Sequence, residues 1–197
     1  MPFTDRDVAA PDRLTTEEFV LRPIAASDAA IDHAAVMETR EALRLWEQST
    51  WPADDFTVEA NREDLVGLEH RHIQHQAFTY TVLSPEGDEC LGCVYIFPTT
   101  AAFLAKSTVT PVGNAAWDDV EAVVYFWARR SMMEIGMDGR LLAALRRWFD
   151  REWAFERTVY VTNEQFEQQV ELLSSTDLSV QFELLEPGKA GTYLVFG

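Results

Sequence analysis

Between Asp118 and Trp153 the chain changes from one hydrophobic rhythm to another. Val120 to Ala128 is an unbroken apolar run, rich in β-branched and aromatic residues, which predicts a buried strand. Further on, Leu141, Leu142, Leu145, Trp148, Phe149 and Trp153 return at helical spacing and draw one apolar stripe along an otherwise charged helix. Arg129 to Gly139 separates the two with charge and two glycines, and Asp138 is placed to cap the helix. A strand that runs through a glycine-bearing loop into a helix is a common way to build an anion site. The N–H groups of the loop and first turn point outward, and the helix dipole favours negative charge. The same pattern also arises where such a unit only packs.

The remaining elements follow from the same reading. Met1 to Glu18 reads as a loose N-terminal arm, and residues 19–197 as a single domain. Phe19 to Ile24 predicts a short strand, and Ser27-Asp28 an N-cap for a helix through about Trp46. Gln48 to Phe56 is a loop containing Trp51-Pro52, followed by a helix from Thr57 to about Gln76 with Leu65, Leu68 and His72 inward. Phe78 to Leu83 and Glu89 to Phe97 flank Ser84-Pro85-Glu86-Gly87-Asp88, whose turn chemistry predicts an antiparallel hairpin. Pro98 to Trp117 is long for a loop, so it is expected to cover a pocket or carry structure of its own. Then come a strand at Thr158 to Thr162, a helix from Asn163 to about Ser174, and a hairpin of Leu178 to Leu185 with Thr192 to Phe196. The order β-α-α-β-β-β-α-β-α-β-β describes an α/β chain that mixes hairpins with helical crossovers. One crossover helix joins the apolar runs at 120–128 and 158–162. These two strands are expected to be neighbouring, parallel and central, diverging at their C-terminal ends.

Composition narrows the function. A length of 197 residues suffices for one domain with a sizeable core. The formal charge of −17 argues against general nucleic-acid binding and against an anionic membrane surface, and it favours a cationic substrate. Met1 to Glu18 has no apolar signal-peptide core and no run approaches the length of a membrane span, so the expected compartment is the cytoplasm. Cys90 and Cys93 form a CxxC inside a predicted strand. Residues three apart there face opposite sides, and no second pair completes a zinc site, so buried thiols are expected. His70, His72 and His75 lack a matched carboxylate and read as a solvated helix end, with no metal site expected. Trp46 and Trp51 flank the loop between the first two helices, where they could wall a pocket for an apolar or cationic ligand or simply pack.

From Phe19 to Phe196 this arrangement resembles the GNAT N-acetyltransferases. FVLRPI with Ser27-Asp28 looks like the family's first strand and helix start, and Cys90-Leu-Gly-Cys-Val like its third strand, where a glycine is usual. Val124-Tyr-Phe-Trp-Ala looks like the fourth strand, Leu141-Leu142 like the following helix, and Asn163 sits where many members carry an asparagine. The resemblance implies a mixed, mostly antiparallel central sheet flanked by helices. It further implies acetyl-CoA as cosubstrate, a small-molecule or protein amine as acceptor, and direct attack without a protein nucleophile, with a homodimer as a possible assembly.

The family's pyrophosphate segment, Arg/Gln-x-x-Gly-x-Gly/Ala, falls on Met133 to Asp138, where only Gly136 matches. The implied cosubstrate contacts are Ala128, Arg129, Arg130, Gly136, Met137, Asp138, Gly139, Arg140 and Asn163. Among these the arginines would offset the carboxylates of Glu134 and Asp138, and Gly139 could restore the missing small position. The family's strand carboxylate falls on Val123. Glu121, two residues earlier on the same face, is the implied catalytic base, with Asp119 beyond it. The family's general-acid tyrosine falls on Val170, between Gln169 and Glu171. These departures leave a second reading, a catalytically degenerate GNAT-like domain that binds a ligand or a partner.

Overall fold

A nine-stranded sheet runs through the computed structural model of this protein, which describes residues 3–5 and 7–197. In chain order the elements are β1 (Leu14–Thr15), β2 (Val20–Pro23), α1 (Ala29–Glu47), α2 (Val58–Ile73), β3 (Phe78–Leu83), β4 (Cys90–Phe97) and β5 (Thr108–Pro111). They continue with β6 (Ala122–Ala128), α3 (Arg130–Met133), α4 (Met137–Glu152), β7 (Thr158–Asn163), α5 (Glu167–Ser174), β8 (Val180–Leu185) and β9 (Tyr193–Phe196). The strands lie in the order β1-β2-β3-β4-β6-β7-β9-β8-β5, and every pairing is antiparallel except β6 with β7. The expected mixed, mostly antiparallel sheet is therefore present, with β6 and β7 adjacent, parallel and central.

Both faces of the sheet are covered, which is why the central strands read as continuous apolar runs. Ala122, Val124, Phe126 and Ala128 of β6 pack with Leu141, Leu145 and Trp148 of α4 on one face. Val123, Tyr125 and Trp127 pack with Val36, Leu43 and Trp46 of α1 and Leu65 of α2 on the other. The two covering helices on that face are tied by Asn61, whose Nδ2 donates to the Ala29 carbonyl at 3.1 Å and to Asp32 at 2.9 Å. Thr57 caps α2 by accepting the Ala60 amide at 3.1 Å. Asp28 does not cap α1 in that way; it pairs with Arg22 at 2.7 Å and accepts the Ala25 amide at 3.1 Å.

Several expectations change. The N-terminal arm is held at its described residues: β1 pairs with β2, Phe3 stacks on Phe155, and Tyr80 donates to the Pro11 carbonyl at 2.6 Å. The long segment after β4 adds β5, which pairs with β8 at the sheet edge. α5 starts at Glu167, because Asn163 ends β7 and its Oδ1 accepts the Gln165 amide at 2.8 Å, turning the chain first. His72 is buried on the inner face of α2, as its spacing with Leu65 and Leu68 predicts, edge-on to Phe78 and Tyr80, and so is not part of a solvated helix end.

Cys90 and Cys93 are buried free thiols as expected, but they lie on the same face of the sheet. The β3–β4 register shifts where Val82 pairs with Gly92 and Leu83 with Cys90, so Leu91 is an extra residue. That bulge resets the alternation.

Candidate active site

The parallel ladder between β6 and β7 covers only Ala122–Val124 against Thr158–Tyr160. Beyond it the two strands part, and Tyr125–Ala128 faces Val161–Asn163 across an opening. Gln169 of α5 reaches into it and donates from Nε2 to the Phe126 carbonyl at 2.9 Å. Because strand groups repeat every second residue, the amide and carbonyl of Ala128 turn to the same side. Around the opening, Thr162 Oγ1, Asn163 Nδ2 and Gln169 Oε1 are buried without a hydrogen-bond partner. Thr162 and Asn163 point to opposite faces of β7, so unpaired polar atoms border the opening on both sides of the sheet.

The loop after β6 is tighter than its sequence suggests. Its first turn is α3, whose opening amides are capped from α1: Arg130 N donates to Thr39 Oγ1 at 3.0 Å and Ser131 N to Glu38 at 3.1 Å. The amides of Glu134, Ile135 and Gly136 are spent on the carbonyls of Arg130, Met132 and Met133. Gly136, with φ 70°, is the N-cap of α4, a left-handed position suited to glycine. Asp138 is therefore not the cap but the second residue of the helix. Its buried carboxylate accepts the Gly139 amide at 3.0 Å and Gln168 Nε2 at 3.2 Å, which turns it toward α5. Gly139 packs against α5 and does not replace the missing loop residue; a Cβ there would sit 3.3 Å from Leu172. Arg129 is committed to Glu38, and Arg140 to Glu18 and the carbonyls of Ile135 and Gly136. Arg130 is exposed and lies beside residues 37–42 of α1.

On the α1–α2 side a cavity of about 860 Å³ reaches Tyr125, the first residue of β6 beyond the ladder. Its walls are aromatic, from Trp46, Trp51, Tyr95, Phe97, Phe103 and Tyr125. Phe103 belongs to the segment after β4, which covers the pocket as well as supplying β5. Charge enters through Glu47, Glu63, Asp64 and Glu186, against Arg71 and Lys189. Burial pushes the Glu186 carboxyl upward, with nearby Lys189 opposing and Glu47 reinforcing the shift. Burial likewise holds the Tyr125 hydroxyl well above its ordinary range.

Glu121 is not in this cavity. It is exposed just before β6 begins, where its carboxylate accepts the Glu156 amide. Four residues of strand, about 13 Å, separate it from Tyr125. The local reason is the β6–β7 crossover: the chain returns at Arg157 beside Glu121 and offers it a free amide.

In sequence, no protein-family model and no curated protein matches the chain. Solved structures do. The ribosomal-protein-S5-alanine acetyltransferase from Vibrio fischeri is 17% identical, with 94% of this chain and 95% of that one covered and a TM-score of 0.67. The ribosomal-protein α-N-acetyltransferase RimL in complex with coenzyme A is 15% identical, with coverage of 94% and 96% and a TM-score of 0.68. Mycobacterium smegmatis RimJ in complex with CoA-disulfide is 16% identical, with coverage of 90% and 80% and a TM-score of 0.66. This chain has the GNAT acetyltransferase fold.

Within that GNAT fold the residues anticipated from sequence divide. Ala128 and Asn163 border the strand opening, and Gly136, Met137 and Asp138 form the start of α4. Arg129 and Arg140 instead brace the loop, and Glu121 stands at the far end of the strand. Gln169, Thr162 and Glu186 were not anticipated. Gln169 had one signal, a polar residue beside the inward Val170; Glu186 lies in the connection between β8 and β9, and no pattern in the sequence set it apart.

Proposed function

We propose that this protein is an acetyl-CoA-dependent N-acetyltransferase that passes the acetyl group directly to an amine. The observation that carries this reading is the parting of β6 and β7, with three buried, partnerless polar atoms around the gap. An extended, amide-bearing chain such as the pantetheine arm can pair there with the backbone of Phe126 and Ala128 as a third strand would. The cavity on the α1–α2 side reaches Tyr125 at the edge of the gap and would receive the acceptor. Coenzyme A in the RimL and RimJ structures supports the choice of cosubstrate.

The fit is uneven along the cosubstrate. The opening suits its acetyl-pantetheine half. For the pyrophosphate, the amides of Met137 and Asp138 lie at the positive end of the α4 dipole, with the exposed Arg130 at the start of α3. The Asp138 carboxylate beside them opposes that charge. Direct attack needs the amine neutral and an acceptor for its proton. Glu121 could serve only if substrate or water brought the proton to the start of β6; the cavity carboxylates are nearer.

The Asp138 carboxylate also favours a second reading, a ligand-binding domain without turnover. Two measurements separate the readings. Coenzyme A at a hundred times its dissociation constant should raise stability by about 2.7 kcal/mol. Acetyl-CoA with an amine panel should release free thiol. Stabilisation without thiol release supports the binding module, and neither effect at millimolar coenzyme A removes the acetyltransferase reading and leaves a module for another ligand or a partner.

A further inference from the structure

We infer that the aromatic cavity lined by Trp46 and Tyr125 takes a cationic amine joined to a flat apolar group, and that Glu186 removes its proton. This rests on the acetyltransferase reading and narrows it to one acceptor chemistry. The walls come first. Trp46 meets Tyr125 edge-on at 6.0 Å and tilts against Tyr95 at 6.1 Å, while Phe97 and Phe103 cross at 5.0 Å. Such a box favours a planar apolar group and, at its ring faces, an ammonium.

Charge selects the sign of the ligand. The cavity carries four carboxylates, Glu47, Glu63, Asp64 and Glu186, against two cations, Arg71 and Lys189. One of the cations is already taken, since Lys189 pairs with Glu47 at 3.0 Å. Among the described residues Glu186 has no ion-pair partner at such a distance, although it is half-buried. Lys189 offsets part of its charge from nearby, and burial in an aromatic wall leaves a cost that an arriving ammonium offsets.

Position singles out Glu186 from the other three. It faces the hydroxyl of Tyr125, the first residue of β6 past the last one paired with β7. Tyr193, also in the cavity wall, pairs with Asn163 at the end of β7. Glu186 therefore shares a cavity wall with Tyr125 and Tyr193, the two lining residues whose strands border the opening. Its charged and titratable neighbours are Lys189, Glu47, Tyr125 and Tyr193. Burial holds its carboxyl above the ordinary range, which makes it a stronger base than a solvated glutamate.

The chemistry balances without another reactant. The ammonium gives one proton to the Glu186 carboxylate and becomes a neutral amine. Its nitrogen attacks the acetyl carbonyl, the N–C bond forms and the C–S bond breaks. The second amine proton leaves with the thiolate as free thiol, and Glu186 returns its proton to solvent. A free arylalkylamine and the N-terminus of a peptide beginning with an aromatic residue present the same chemistry.

The test uses phenethylamine, 2-phenylethanol, phenylacetate and a phenylalanyl dipeptide amide, titrated calorimetrically at neutral pH with and without coenzyme A. Phenethylamine or the dipeptide should bind at least tenfold more tightly than the alcohol, and phenylacetate least. The tighter of the two amines identifies the source. Glu186→Gln should bring amine affinity down to that of the alcohol, while Glu183→Gln, on the exposed side of β8, should change nothing. In acetyl transfer, Glu186→Gln should lower turnover by about two to four orders of magnitude near neutral pH, with recovery as pH rises. Thermal melting of both variants checks that they fold. Equal affinity for amine and alcohol, or unchanged binding and rate in Glu186→Gln, overturns the inference; transfer to other amines would leave the acetyltransferase reading standing. Amine binding with these preferences but no transfer would overturn the acetyltransferase reading and the proton-transfer role with it.

Discussion

Gln169 donates its side-chain amide to the Phe126 carbonyl at 2.9 Å across the gap where β6 and β7 stop pairing. The bond satisfies a strand carbonyl that has lost its ladder partner, while Gln169 Oε1 stays buried and unpaired. Gln169→Leu keeps the volume and orphans that carbonyl. Urea unfolding should show a loss of about 1–3 kcal/mol. A ligand that pairs with Phe126 must displace Gln169 in the native protein but not in the variant. Coenzyme A should therefore stabilise Gln169→Leu more than the native chain, and equal stabilisation would place the ligand elsewhere.

Gly92 follows the extra residue of the β3–β4 bulge, where β4 comes close to β6. A Cβ at this position would lie 2.2 Å from the Trp127 carbonyl oxygen, and backbone cannot give way cheaply. Gly92→Ala should cost about 1–3 kcal/mol, the usual range for overpacking. The two thiols on the bulge report the same distortion. Burial pushes Cys90 up to about 12 and Cys93 well above the usual thiol range, so both should react slowly with a thiol reagent in the native protein. Gly92→Ala should speed that reaction; an unchanged rate would mean the bulge adapts without opening.

The sequence is most legible where one physical requirement dominates. β6 and β7 are buried on both faces, so their apolar runs and the helix between them showed parallel pairing directly. Thr57 capped α2 as its residue type suggests, and Trp46 and Trp51 do wall a cavity. What stayed hidden depends on a distant partner. β5 is short and mostly exposed and exists because β8 lies beside it. The common face of Cys90 and Cys93 depends on one extra residue in the register with β3. Glu121 shares the inward parity of Val123, but the returning chain at Glu156 captures its side chain. Periodicity gives a face; it does not show what competes for the side chain.

His72 supplies a pH dependence of stability. Its Nδ1 lies 3.0 Å from the Thr79 carbonyl and 3.2 Å from the Thr79 amide. The ring is edge-on to Phe78 and Tyr80, and burial lowers its pKa below the ordinary 6.5. The unfolded chain thus takes up the proton first as pH falls. His72 contributes its full stability above about pH 6.5, and that contribution is lost as pH drops toward the lowered native value. Thermal melts through this window should show an acid-side decline that His72→Phe flattens, at some cost to neutral-pH stability from the lost Thr79 contacts. A parallel decline in both proteins would assign the effect to the carboxylates.

The start of α4 gives the sharpest test of where the cosubstrate's phosphates lie. Asp138 is the second residue of the helix, and its carboxylate is held by the Gly139 amide and Gln168. As an acidic first-turn residue it steadies the helix by roughly 0.3–1 kcal/mol. The same charge opposes a pyrophosphate brought to the Met137 and Asp138 amides. Asp138→Asn keeps the shape and removes the charge. It should lower thermal stability slightly and tighten coenzyme A binding by roughly three- to tenfold at low salt, an effect of about 1 kcal/mol. The gain should shrink as salt screens the interaction. Gly136→Asp should act in the opposite direction, because it strains a left-handed position and adds a carboxylate at the helix cap. Calorimetry on the three proteins at two salt concentrations decides the matter. If Asp138→Asn leaves the affinity unchanged at low salt, the phosphates do not lie at this helix start, and the exposed Arg130 becomes the next residue to change.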